Sequence, residues 1–386
     1  KVDHMAEDLY LDALEALNEG ERKEAIKIAT ALVKDEPDHA AAWALLSDAY
    51  IPADRKVRLT LDETAKAIGA TRFAVKLDPR RTDLWIRGAI LMRSIGCWED
   101  TLQWWQDARH HMPKEAMPLV EQATILADLG MYDEAAERLE QIIEENLDVG
   151  PSQNARIMAL LNLVRKAGAK DRSMLFRPWE AHHDGWDIIR LRMRRGPISE
   201  NTIFLMTAGP ALLLLVLMAQ NQTEHGWSGF CLVSMAILAT TIVGMRLARR
   251  WHQQINRPAL NLVRAMDVEA SSGHVLIPED IRISRLHAIL LQRTPLAYQE
   301  RVLKIVERSR AWPKGHLPRL PDFESHHDEI GFIEDADVDM DAFEDDEEGE
   351  FWESESVATS TRPLSLRIRR VCALPACACA RWCWAC

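Results

Sequence analysis

Residues 127–146 read ADLGMYDEAAERLEQIIEEN, and this stretch decides the fold of the first third of the chain. Two helical runs meet at Gly130, where a positive φ costs glycine little. Ala135 puts a small side chain where the second helix must approach the first. Moving outward, Gly96 stands 34 residues before Gly130, and Pro79 stands 34 before Pro113. Pro37 and Pro79 are 42 apart, as are Trp43 and Trp85. One period of 34, with eight extra residues in a single unit, accounts for the Gly, Pro and Trp series together. An unrelated helical bundle does not require those series to agree.

Four units follow from that period. The first carries Leu9, Gly20, Ala25 and Pro37; the second carries Trp43, Tyr50, Ala67, Ala74 and Pro79. The extra residues of the second unit fall at 51–61, where Pro52 breaks the helix. The third carries Trp85, Gly96, Ala108 and Pro113, with Thr101 in place of the usual alanine. The fourth carries Leu119, Gly130 and Ala135, with Leu147 in place of the closing proline. On these residues the chain resembles the tetratricopeptide-repeat family over about residues 6–148. That resemblance implies an all-α solenoid in which each helix pair buries its apolar face against the next. A further helix at about 152–167 takes the position of a cap.

The resemblance also implies a concave groove lined by the first helix of each unit. Its positions fall on Tyr10, Leu14, Ala44, Asp48, Ile86, Ile90, Val120 and Thr124. Chaperone-binding members of the family use Lys and Asn there to clamp a terminal carboxylate. This chain has Tyr10, Leu14, Ala44 and Ile86 instead, so the clamp does not carry over. An apolar groove flanked by acids fits an amphipathic helix or an extended apolar peptide of a protein partner. Packing against the cap or another segment of the same chain is the alternative for these residues.

The net charge of −12 is a remainder of opposed segments. Residues 1–150 carry −12, 151–321 carry +12, 322–361 carry −17 and 362–386 carry +5. These segments suggest a repeat domain (1–150), a cap with a basic juxtamembrane linker (151–200) and a transmembrane hairpin (201–248). A basic cytosolic helical segment (249–321), an acidic tail (322–361) and a Cys/Arg-rich end (362–386) would follow. No signal-peptide pattern is visible in the first 35 residues.

The hairpin rests on two runs. Residues 202–219 (TIFLMTAGPALLLLVLMA) contain no charge, and 230–247 (FCLVSMAILATTIVGMRL) contain only Arg246. Each is close to the roughly 20 residues that cross a hydrocarbon core of about 30 Å. Pro210 is tolerable in such a span, and Trp227 and Trp251 occupy aromatic-belt positions. Arg190, Arg192, Arg194 and Arg195 precede the first run; Arg246, Arg249 and Arg250 end or follow the second. The turn between has no Lys or Arg, so the positive-inside rule puts both flanks and both termini in the cytosol. The basic flanks are suited to anionic lipid.

Beyond the spans, 278–292 and 295–310 read as short helices, with Thr294 the expected N-cap of the second. Arg301, Lys304, Arg308 and Arg310 make the latter basic, but no nucleic-acid partner is expected beside a membrane. Residues 322–355 hold 17 acids and no Lys or Arg, which predicts disorder. That tail could fold back on the basic segment and mask it. From Arg362 the composition shifts abruptly to Arg, Ala, Cys, Pro and Trp, which resembles out-of-frame translation; zinc or lipid on its cysteines is the alternative.

The pairs His110–His111, His182–His183 and His326–His327 lack metal-ligand spacing. No metalloprotease, phosphate-loop, dinucleotide or nucleophile-elbow motif is present. The sequence thus points to no catalytic residue, metal, cofactor or small-molecule substrate. The expected role is a membrane-anchored interaction scaffold or adaptor, with a structural or assembly subunit of a membrane complex as the alternative and an enzyme with an unrecognised site ranked below both.

Overall fold

The computed structural model describes residues 2–52, 58–147, 149–170, 175–221, 226–313 and 315–323. The acidic tail beyond Phe323, the Cys-rich end, His326–His327 and the inter-span turn at 222–225 lie outside the described residues. Among the described residues the chain is helical, and its one β feature is an isolated bridge between Val275 and Ala311.

Nine helices lead: α1 (Val2–Glu19), α2 (Arg22–Asp35), α3 (Ala40–Tyr50), α4 (Leu61–Leu77), α5 (Thr82–Ser94), α6 (Trp98–His111), α7 (Met117–Leu129), α8 (Tyr132–Glu144) and α9 (Pro151–Gly168). Each packs on the next in chain order. Between them lies a large apolar core, in which Trp43, Trp85, Trp98 and Trp105 are fully buried. Thr101 is buried too; its hydroxyl donates to the Cys97 carbonyl at 2.6 Å, so the polar atom that replaces the expected alanine is satisfied within its own helix.

The spacing seen in the sequence recurs as bonding. The Trp43 indole N–H donates to the Pro37 carbonyl at 2.7 Å, and the Trp85 indole to the Pro79 carbonyl at 2.9 Å. The same offset of six from Pro113 reaches Leu119, whose side chain has no N–H to give. There the Arg109 guanidinium takes over and donates to the Pro113 carbonyl. Glu36, Asp78 and Met112, each just before a proline, hold nearly the same backbone, with φ of −129°, −136° and −130°. The following pyrrolidine ring disfavours helical geometry at those positions, which is why each helix stops there. The turns at Gly20, Gly96 and Gly130 have φ of 85°, 83° and 90°. Each is closed by the next residue's N–H reaching back five residues, as in Cys97 to Met92 at 3.0 Å. The second unit has no such glycine; residues 51–60 separate α3 from α4 instead.

The second half contains α10 (Gly185–Arg190), α11 (Glu200–Thr207), α12 (Gly209–Asn221), α13 (Gly226–Ser272), α14 (Glu279–Arg282), α15 (Arg285–Leu291) and α16 (Leu296–Arg308). Helix α13 runs 47 residues without a break and contains Pro258. At 1.5 Å per residue it is about 70 Å long. Its apolar part has a mean hydropathy of 1.9 over 18 residues, of which only 11% are buried, and it is long and apolar enough to cross a membrane. Helices α11 and α12 meet at a 44° bend and make a second candidate only if the pair counts as one span. They pack along α13, where Gly244 lies under Ala208 and Phe204, a close approach that a larger residue would block.

Three expectations need revision. The boundary expected at 248/249 falls inside α13, because no Gly, Pro or capping residue interrupts the helix there. The segment 249–321 is not a separate unit. Beyond about residue 252, α13 becomes buried and builds a second core with Phe176, Trp186, Ile189, Ile281, Leu286 and Tyr298. That segment also packs on the repeats: α16 lies on α4, and α13 lies on α6 and α7. The Glu300 carboxylate accepts the Leu61 N–H at 2.7 Å, Ser271 Oγ accepts the Glu99 N–H at 2.8 Å, and Arg264 reaches the Asp128 carbonyl at 3.0 Å. Finally, Thr294 does not cap α16. Its hydroxyl donates to the Leu291 carbonyl at 2.7 Å and closes the preceding helix, while Pro295 takes the N-cap position.

Candidate partner-binding face

Helices α1, α3, α5 and α7 carry the eight expected groove residues. Ile90, at 44% exposure, is the one of the eight that stands clear of the fold. Tyr10, Leu14, Ile86 and Val120 are half-buried and lean on the first core, leaving part of each side chain at the surface. Asp48 is half-buried as well. Ala44 and Thr124 are buried and offer an incoming chain no side-chain surface. The Thr124 hydroxyl is spent on the Val120 carbonyl at 2.8 Å.

Ion pairs at and close to the expected positions tie the helices together. Arg87, beside Ile86, pairs with Asp48 at 2.9 Å and donates to the Ala44 carbonyl at 3.0 Å, joining α5 to α3. Arg93 pairs with Glu121 at 3.2 Å, joining α5 to α7, and its guanidinium lies 5.1 Å over the Trp98 ring. Burial pushes the Asp48 and Glu121 carboxyls up, and the facing arginines pull them part of the way back. The outcome is a face of half-buried apolar side chains set between fixed ion pairs. Helical register could have flagged Arg87 and Glu121, since each neighbours a groove position; the pairing of Arg93 with Glu121 depends on packing across units.

Other polar positions do not converge on this face. Cys97 is buried, and its thiol is pushed up to about 12 by desolvation, which makes it a poor nucleophile or ligand. Among the described residues no group of three His, Cys, Asp or Glu could hold a metal ion. Asp107 on α6 accepts from Gln103 at 2.9 Å, and burial pushes its carboxyl up to about 6. Its folded value exceeds the ordinary 3.8, so protonation favours the folded chain. That contribution is complete below about pH 4 and is lost as pH rises through about 6. Asp107→Asn should therefore raise the melting temperature at pH 7.5, by an equivalent of about 1–3 kcal/mol, and change little at pH 4. Thermal unfolding across that range checks it; an equal effect at both pH values would show that ionisation is not the cause.

No protein-family model matches the chain, and no curated protein matches it.

Proposed function

We propose that this chain is a membrane-anchored interaction scaffold of the tetratricopeptide-repeat kind. Its α1–α9 array would offer the face around Ile90 to an apolar or amphipathic protein segment. The paired helices α11–α12 and α13 would form a two-span hairpin with both termini cytosolic. The observation that carries this reading is the division of α13. Its first half is apolar and exposed, whereas its second half is built into the repeat body through Arg264, Ala270 and Ser271. A helix made in that way attaches a binding array to a bilayer without an intervening linker. The arginines on both flanks and the absence of Lys and Arg from the turn between the runs support the cytosolic orientation.

Crosslinking in native membranes with wild-type chain and with Ile90→Glu, followed by identification of the captured proteins, tests the proposal. Ile90 is exposed, so the charge should leave the fold intact while weakening capture about tenfold or more, the scale of one lost apolar anchor. Capture unchanged by Ile90→Glu would count against this face. Co-purification of fixed-ratio subunits that ignore Ile90 would favour the complex-subunit alternative. Protease digestion of the repeats only from the non-cytosolic side would overturn the orientation.

A further inference from the structure

The two most exposed large apolar side chains among the described residues lie outside the candidate spans. Leu191 is 85% exposed and Ile283 is 81% exposed, more than any described apolar residue of α11–α13. They belong to segments far apart in sequence that two bonds hold side by side. Arg190 Nε donates to Asp280 at 2.8 Å, and the Leu286 N–H donates to the Met193 carbonyl at 3.0 Å. Leu191 lies between Arg190 and Met193, and Ile283 between Asp280 and Leu286.

The surroundings are basic. Arg194, Arg195 and Arg285 are exposed and Arg192 is half-exposed, and no described acidic side chain pairs with any of the four. The acids nearby are Asp187, Asp280 and Glu279. The first two are both bound to Arg190, which holds the Asp280 carboxyl below its ordinary range. Unpaired arginines around protruding aliphatic side chains match an interfacial contact, in which the apolar groups enter the headgroup boundary and the cations meet phosphate.

The position fits as well. Asn256 on α13 both donates to and accepts from the Ile198 backbone, at 2.8 and 2.9 Å, which fixes the start of α11 against α13. Asn256 lies five residues past Trp251, about 8 Å along the helix. The headgroup layer outside the hydrocarbon core is about 5–8 Å deep on each side, which leaves it within reach of an extended arginine.

We infer that Leu191 and Ile283, with Arg192, Arg194, Arg195 and Arg285, form a second membrane contact that binds anionic headgroups of the bilayer entered by α13. The inference rests on the membrane-anchored reading given above. The test uses the full chain in nanodiscs of phosphatidylcholine alone and of phosphatidylcholine with about one-third phosphatidylserine, with amide exchange followed by mass. Residues 188–195 and 279–286 should exchange several-fold more slowly in the anionic discs, and high salt should reduce the difference. Leu191→Asp combined with Ile283→Asp should abolish it; both sites are exposed, so the fold should tolerate the change. Equal exchange in the two lipids, with residues 231–247 protected, overturns this contact alone. Loss of protection over 231–247 overturns the anchored reading and this contact with it.

Discussion

Arg282→Ala is expected to destabilise the folded chain by about 3–5 kcal/mol. The cause is Glu269, which is fully buried on α13. Its two carboxylate oxygens accept a bidentate pair from Arg282 at 2.8 and 2.7 Å. One of them also accepts the Leu276 and Ile277 N–H groups, each at 2.8 Å. The arrangement ends α13 and sets the course of the chain into α14. Alanine removes the countercharge and leaves a carboxylate with two neutral donors and no access to water. Such half-broken buried pairs cost far more than an intact pair contributes. Denaturant unfolding of the detergent-solubilised chain, followed by tryptophan fluorescence, measures the loss. A change below about 1 kcal/mol would mean that water or another cation replaces the guanidinium.

The second large effect is expected at Gly96, and Gly20 supplies its control. Both have positive φ, so alanine at either should cost about 1–2 kcal/mol in backbone strain. They differ in what an added Cβ would meet. At Gly20 nothing lies within 4 Å. At Gly96 the Cβ would stand 2.7 Å from the Tyr298 ring and 2.8 Å from Ala270 Cβ. Tyr298 is buried, and its hydroxyl bonds Asp267 at 3.3 Å, so the ring has little room to swing away. Overpacking of that kind adds about 1–3 kcal/mol, bringing Gly96→Ala to roughly 2–5. Equal losses at the two glycines in parallel unfolding curves would show that the α13–α16 layer does not bear on the repeat turn.

That pair of glycines also shows how much of the structure the sequence carried. The spacing of Gly20, Gly96 and Gly130 located three turns, and the prolines located three helix ends, because both effects are local to the backbone. What α16 does at Gly96 is not local. Tyr298 lies 202 residues away, and no period or propensity connects the two. Residues 249–321 looked independent for the same reason: their charge was legible, but their contact with α4 and α6 depends on shape across long loops. The continuity of α13 is not legible in the sequence because an apolar run can end while its helix goes on, and even Pro258 does not stop this one. The candidate face was legible in part. Helical register put Ile90 outward and brought Tyr10, Ile86 and Val120 near the surface. It could not show that Ala44 and Thr124 are covered, since their burial depends on how closely neighbouring helices approach.

The uninterrupted passage of α13 from its apolar half into the repeat body has a mechanical meaning. A flexible tether would let the array tumble above the bilayer and sample every orientation. In the anchored arrangement proposed above, a continuous helix would instead fix the array's height and heading relative to the span, with Pro258 the one interior proline along it. A partner diffusing in the same membrane would then meet the Ile90 face already aimed, and capture would forgo much of the rotational entropy that a freely tumbling receptor must surrender. The same stiffness would work in reverse: tilting or turning the span would carry the whole array with it. Inserting a short glycine-serine stretch after Arg250 would uncouple the two, so the loss should appear as a slower rate of capture rather than as faster release.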